Sequence, residues 1–434
     1  MKSLRKILII IYLIIFVAIP VSAANFPGVS AEMNKADYWI KNSNINMHNI
    51  VLNAEEIRLY NKHIEDIYKQ SGKYALSEIP SVVSAEQVTR WMSDLDFYDD
   101  ELYANGRLMS ADLRKLLKQA RNIESIPAKV QTRYGVVVRR SNMRTFPTKL
   151  AAFESSTDKM FDNFQETAVD SGMPVAILHE SKNRMFYFVQ IDKYHGWISK
   201  ADVGVISEKS KWLEYVNIKN FLVVVDKKLV VNTTGEQILF QMGSKIKLKS
   251  AGVNGYVVII PTADRVGKLR EIEVSIPAKG VNKGYLAYTR ANILKQAFGF
   301  IGEPYGWGGL RDSVDCSSFL QDVYNTVGLR IPRNADEQAK INRGRINTRG
   351  LSTQERLQLQ AEMKPGAALF SPTHVVLYLG TVDGKPYGIH ALSSYVNNKG
   401  VNVDALEVLV SPLQIKLPSG NILLNTFNAA NNFQ

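Results

Sequence analysis

The hydrophobic period changes at Tyr134, and that change constrains the fold more than any figure of composition. Before it, SAEQVTRWMSDLD (84–96) and SADLRKLLKQARNI (110–123) each open on a serine suited to cap a helix, then place apolar residues at helical spacing. From Tyr134 onward the chain runs in short alternating stretches broken by Gly, Pro and Asn, the pattern of small β-barrels. YGVVVRRSNMRTFPT (134–148) opens one such unit and MFYFVQIDKYHGWISKADV (185–203) closes it. A second unit spans FLVVVDKKLVVNTTG to VNKGYLAYTRANIL (221–294), with Gly284-Tyr285-Leu286 placed much as Gly196-Trp197-Ile198 is in the first. Two tandem barrels follow from this. Either could bind a ligand or act as a spacer, and Tyr187, Tyr194 and Trp197 read as core or rim residues.

A chain of 434 residues with 45% hydrophobic side chains has the length for several domains and ample core. Its start is basic (MKSLRK), then apolar (ILIIIYLIIFVAIP), then small (VSA), which reads as a secretory signal cleaved after Ala23. The apolar run from Ile7 to Ala23 is also close to the short limit of a spanning helix, so an uncleaved leader anchoring the protein to the membrane is the alternative. No cysteine follows the run, which excludes a lipid-modified N-terminus. The formal charge of +12, three of its cations lying in the leader, favours an acidic partner: wall polymer or membrane surface for an exported chain. No run of five like charges and no interleaving of Arg with aromatics argues for nucleic acid.

Export also frames the single cysteine, Cys316. One thiol cannot form an internal disulfide, so it is either buried and inert or kept as a reactive group. ANILKQAFGFI (291–301) reads as a helix and GEPYGWGG (302–309) as a Gly-rich loop. In SSFLQDVYNTVG, Phe319, Leu320, Val323, Tyr324 and Val327 recur at helical spacing until Gly328. Cys316 thus stands at the start of a helix, where free backbone N–H groups and the macrodipole favour a thiolate.

A nucleophilic thiol needs a base, and the chain has six histidines. His48 and His63 lie in the helical segment, and His179 and His195 in the first barrel. His374 and His390 follow the cysteine on two strand-like runs, THVVLYLG (373–380) and PYGIHALSS (386–394), joined across an Asp383-Gly384 turn signal. One imidazole to take the thiol proton and a second to orient the first is the arrangement a Cys/His catalyst uses. Parity sets a condition. A two-residue turn at Asp383-Gly384 with an unbroken ladder pairs Leu377 with His390 and sends His374 to the opposite face, so catalysis requires an odd loop or a bulge. Elsewhere no His, Cys and carboxylate group has metal-ligand spacing, and Cys/His chemistry needs no cofactor.

Tyr305-Gly-Trp-Gly-Gly, Asp315-Cys316-Ser317-Ser318-Phe319, Ile331-Pro332-Arg333, His374-Val375 before Leu-Tyr-Leu-Gly, and Ile389-His390 together resemble the NlpC/p60 family of cell-wall cysteine peptidases. The helical segment and barrels resemble its branch with an N-terminal stabilising domain and tandem bacterial SH3-like domains. The resemblance implies an α+β fold with a signal over 1–23, a mostly helical segment over 24–130, SH3-like barrels over 131–206 and 207–288, and a papain-like catalytic domain over 289–434. It implies hydrolysis of the γ-D-glutamyl bond to diaminopimelate or Lys in peptidoglycan stem peptides, through a thioester. Cys316 would be nucleophile, His374 base and then acid, and His390 the orienting residue. Tyr305 would sit beside the thiol, Asp315 and Ser317 would help grip a free N-terminal L-Ala amine, and Arg333 would line the substrate pocket. Asp315 and Ser317 also serve as helix caps, and the two roles can coexist. Val376 departs from the small residue many members carry, and either narrows the site or fills the core.

The expectation is therefore an exported, monomeric enzyme of the periplasm or cell envelope whose partner is peptidoglycan or free muropeptide. The rival readings are an amidase or lytic toxin of the same Cys/His superfamily, and a wall-binding protein without catalysis. A pure binder would need none of Cys316, His374 and His390.

Overall fold

The computed structural model describes residues 26–434 apart from 71–73, 100, 193 and 361, so the leader lies outside the described residues. Both serine caps form. Ser84 accepts from the Gln87 N–H at the head of helix Ala85–Ser93, and Ser110 from the Leu113 N–H at the head of Ala111–Ala120.

The residues before Tyr134 divide among three cores. Trp39, Tyr60 and Ile64 pack into the large core of the C-terminal unit. Val88, Trp91 and Met92 cover the first barrel, and Leu102, Met109 and Leu117 close a small cluster around Phe146 and Phe164. The segment thus straps the units together, and truncating one of its buried aromatic side chains to Ala would cost about 3–5 kcal/mol.

The first barrel is a seven-stranded sheet in the order Val203–Ile206, Arg133–Val137, Pro174–Glu180, Phe186–Ile191, Tyr194–Ser199, Ser141–Arg144, Gln165–Val169. Every side chain of Phe186–Ile191 is buried. Phe186 and Phe188 join the cluster of Trp91, Trp197 and Trp212, while Tyr187, Val189 and Ile191 join Val137, Val175 and Val203. Burial on both faces is why apolar side chains stand on both sides of this strand, with Gln190 its one polar residue. A second, five-stranded sheet with a neighbouring hairpin, Lys228–Asn232 with Gln237–Gln241, encloses Leu222, Phe240, Val258 and Ile260.

The C-terminal unit is a six-stranded antiparallel sheet in the order Arg345–Asn347, Ala429–Asn431, Ala368–Phe370, Val375–Val382, Lys385–Val396, Asn402–Pro412. Helix Cys316–Asn325 packs on its two central long strands through Phe319, Leu320 and Val323, so helix and sheet form an α+β layer.

The histidine hairpin meets the parity condition by a bulge. Val382 pairs with Lys385 across a two-residue turn whose Asp383 and Gly384 have φ of 49° and 72°. The register slips between Tyr378 and Gly380, so Leu377 faces Ile389 in place of His390. His374 and His390 therefore share a face. Gly380, at φ 137°, supplies the conformation, with Trp39 of the N-terminal segment packed against it.

Candidate active site

Cys316 is the first residue of helix Cys316–Asn325. Asp315 is its N-cap in a reciprocal capping box: the Asp315 carboxylate accepts from the Ser318 N–H at 2.8 Å and the Ser318 hydroxyl from the Asp315 N–H at 2.9 Å. The thiol is 8% exposed and accepts from the backbone N–H of Val375, the residue after His374. Burial pushes it up to about 12, the Asp315 charge adds to this, and the Val375 N–H and Arg333 only partly oppose it. Desolvation outweighs the helix terminus that the sequence pointed to. The resting group is a thiol.

Three side chains continue from it along one face of the sheet. His374 Nε2 lies 2.7 Å from His390 Nδ1, and His390 Nε2 lies 2.9 Å from Ser411 Oγ. If Ser411 accepts from His390 Nε2–H, then His390 Nδ1 accepts from His374 Nε2–H, and His374 Nδ1 is left as a free lone pair. Burial lowers His374 to about 4, and it lowers the fully buried His390 well below its ordinary value, helped by His374. Both imidazoles rest neutral. Val376 is buried and fills the space over Gly388, where any Cβ would collide with it, so it belongs to the core.

On the other side of the cysteine, Asp315 is saturated. Its Oδ1 accepts from the Ser318 N–H, the Ser317 hydroxyl (3.2 Å) and Arg333 Nη1 (3.2 Å), and its Oδ2 from Arg333 Nη2 (2.6 Å) and the Gly308 N–H (2.9 Å). Burial opposes the charge, but Arg333 and these donors hold the Asp315 carboxyl below its usual range. Arg333 also donates to Ser317 Oγ at 2.8 Å. Tyr305 is buried, and burial, with Cys316 second, raises its hydroxyl well above the ordinary tyrosine range. All seven residues singled out in the sequence thus lie around the head of one helix.

The first barrel completes the surroundings. Thr167 accepts from Arg333 Nε at 2.7 Å, Gln165 donates to the Gly308 carbonyl at 2.9 Å, and Trp307 donates to the Asp162 carbonyl at 3.0 Å. Phe161 packs on Tyr305 and Trp307 with ring centroids 5.9 and 5.6 Å apart. Glu166 accepts from Thr145 (2.5 Å) and Tyr194 (2.8 Å) and has no cationic partner among the described residues. Sequence reading missed Glu166, Thr167 and Ser411. The sequence marks Tyr194 only as a core or rim aromatic, and nothing local distinguishes a Glu-Thr pair in a strand or a serine near a strand end. A cavity of about 540 Å³ opens beside Tyr305 and His374.

Residues 302–407 match the model of the NlpC/P60 family, and residues 151–199 match that of the SH3 domain of SH3b1 type. The chain carries an NlpC/P60 domain behind an SH3b domain. Over 57 residues it is 39% identical to the γ-D-glutamyl-L-lysine dipeptidyl-peptidase of Bacillus subtilis, a match spanning 13% of this chain and 19% of that protein. It is 25% identical over 244 residues to dipeptidyl-peptidase 6 of Lysinibacillus sphaericus, covering 54% of this chain and 82% of that one. In fold it is similar to an NlpC/P60 endopeptidase of Photobacterium damselae subsp. piscicida (TM-score 0.73, 19% identity, 92% of this chain and 97% of that one). It is also similar to an NlpC/P60 family protein of Bacillus cereus (TM-score 0.50, 16% identity, 69% and 99% covered). These domains point to an extracytoplasmic role; no helix among the described residues is long and apolar enough to cross a membrane.

Proposed function

We propose that the protein hydrolyses peptidoglycan stem peptides at the γ-D-glutamyl bond to a diamino acid, through a cysteine thioester. The observation that carries this reading is the series Cys316, His374, His390, Ser411: the thiol accepts from the Val375 N–H, the residue after His374, and His374 is a neutral imidazole held by His390 and Ser411. Cys316 Sγ bonds to the scissile carbonyl carbon as its proton passes to His374. The tetrahedral intermediate then expels the amine, which takes that proton from His374 as the C–N bond breaks. Water attacks the thioester with His374 as base, releasing the carboxylic acid and restoring the thiol. Tyr305, whose hydroxyl stays protonated, is a donor for the oxyanion.

Recognition of a free N-terminal L-Ala falls mainly to Glu166. The donors around Asp315 leave it to hold Arg333 and the helix, whereas the Glu166 carboxyl meets the hydroxyls of Thr145 and Tyr194 and no cation among the described residues. An ammonium supplies that cation, and a stem peptide still attached to glycan does not. The dipeptidyl-peptidase names of the curated relatives support release of a dipeptide. The reading takes 289–434 as the catalytic unit, 131–206 and 207–288 as SH3-like units, and the cell envelope or periplasm as the place of action.

The test is mass spectrometry of L-Ala-γ-D-Glu-diaminopimelate peptides and of intact sacculi after incubation with the protein, with Cys316→Ala as control. Release of L-Ala-D-Glu from free peptide, lost in Cys316→Ala, is the expected result. Equal activity in Cys316→Ala would overturn the mechanism, and release from sacculi alone would overturn the preference for a free amine.

A further inference from the structure

We infer that the cavity beside His374 receives the far end of the diamino acid and selects a zwitterionic end, as in meso-diaminopimelate, over the lone ammonium of lysine. This rests on the function proposed above. The argument begins with the proton that His374 must return. The leaving amine has to lie against His374, so the cavity that His374 and Tyr305 border is the one that takes the leaving group, while Arg333, Thr167 and Tyr194 line a separate cavity.

The lining of that cavity is polar and uncharged. Hydroxyl and amide side chains dominate it, among them Ser393, Ser394, Asn421 and Asn425, and no Asp, Glu, Lys or Arg side chain lines it among the described residues. Its one titratable imidazole, His374, is neutral because burial lowers it to about 4. At about 540 Å³ it has room for a branched side chain carrying both an ammonium and a carboxylate.

Serine hydroxyls and asparagine amides both donate and accept, so they serve a carboxylate and an ammonium side by side. The two charges of a zwitterion also partly neutralise each other. A lysine ammonium uses only the acceptors of this lining: it leaves the asparagine N–H and serine O–H donors without an anion and carries no carboxylate of its own. The chain's formal charge of +12, three of whose cations lie in the leader, stays positive without it and adds a field that disfavours an extra cation and favours the additional carboxylate. Exclusion of the lone cation is thus built from what is missing as well as what is present.

The experiment compares kcat/KM of the full protein on three peptides: L-Ala-γ-D-Glu-meso-diaminopimelate, the same peptide with its distal carboxylate amidated, and L-Ala-γ-D-Glu-L-Lys. The expected order is the zwitterionic peptide first, with the amidated and lysine peptides each at least about tenfold lower. The amidated peptide has the size of the first and the net charge of a lone ammonium, so it separates charge from fit. Asn421→Asp and Asn425→Asp, both at exposed positions, should lower the preference and raise kcat/KM for the lysine peptide. Equal rates on all three, or a lead for lysine, overturn the selection while leaving the hydrolase reading in place. No cleavage of any peptide overturns the hydrolase reading, and this inference falls with it.

Discussion

The first barrel sends Thr167 to Arg333, Gln165 to Gly308 and the Asp162 carbonyl to Trp307. The second unit meets the C-terminal unit through Lys227 and Lys228, at the start of its hairpin, on the buried carboxylate of Glu303, and through Gly243, which abuts the far end of the Cys316 helix at Asp322 and Asn325. Both regions read in the same alternating pattern, yet one supplies polar side chains to the thiol's surroundings and the other braces from behind. What separates them is which rim faces the head of helix Cys316–Asn325 and which faces its tail. Sequence similarity between two modules therefore says little about which of them shares a site.

The sharpest test of this contrast is Arg333→Ala. It leaves the buried Asp315 carboxylate without its counter-charge and frees Thr167, so urea denaturation should show a loss of about 3–5 kcal/mol. A loss under about 1 kcal/mol would mean that the junction of first barrel and helix head is solvated and that the contrast is overdrawn.

Glu166→Gln comes next. It keeps the acceptor for Tyr194 and removes the charge, so kcat/KM on a peptide with a free N-terminal amine should fall about 10–100-fold while stability changes little. An acetylated peptide, already poor, should be unaffected. If both peptides lose equally, Glu166 acts on the fold and not on the amine.

Ser411→Ala removes the acceptor that holds the His390 tautomer, and kcat should fall about tenfold with KM nearly unchanged. Ser411→Thr, which keeps the hydroxyl, should recover most of the rate; failure of that rescue would point to a purely packing role. In the parent protein His374 must be neutral to take the thiol proton. With its pKa lowered to about 4, kcat/KM should be flat from about pH 5 to about 7, fall as pH drops through 4, and fall again above about 8 as the substrate's α-ammonium is lost. An acid limb near the ordinary histidine value would show that water reaches the imidazole.

The smallest effect belongs to the second unit. Lys228→Met leaves Glu303 paired with Lys227, so stability should drop by about 1 kcal/mol and kcat/KM should stay within about twofold. A large loss of activity would erase the distinction between the two regions.

Much of this was legible along the chain because it depends on local rules. Ser84 and Ser110 announce helices by capping chemistry, and Gly328, at φ 84°, marks the stop after the Cys316 helix. Asp383-Gly384 announces a two-residue turn. Cys316, His374 and His390 could be nominated because few thiols and imidazoles exist to choose from. The bulge that puts the two histidines on one face was only a condition; its signal, Gly380 within a strand pattern, acquires meaning when Trp39 packs against it.

The sequence by itself determined the helices and strands, the turn between the histidines and the residues able to do the chemistry, since each follows from the conformational and chemical properties of a few neighbours. Only the tertiary structure decided the rest. It spread the N-terminal side chains among three cores, drew Glu166 and Thr167 from a barrel more than a hundred residues away, and placed Ser411 behind His390. It also reversed the expected charge state of Cys316, because desolvation is set by everything that packs around a group and the helix dipole only by the turn beneath it.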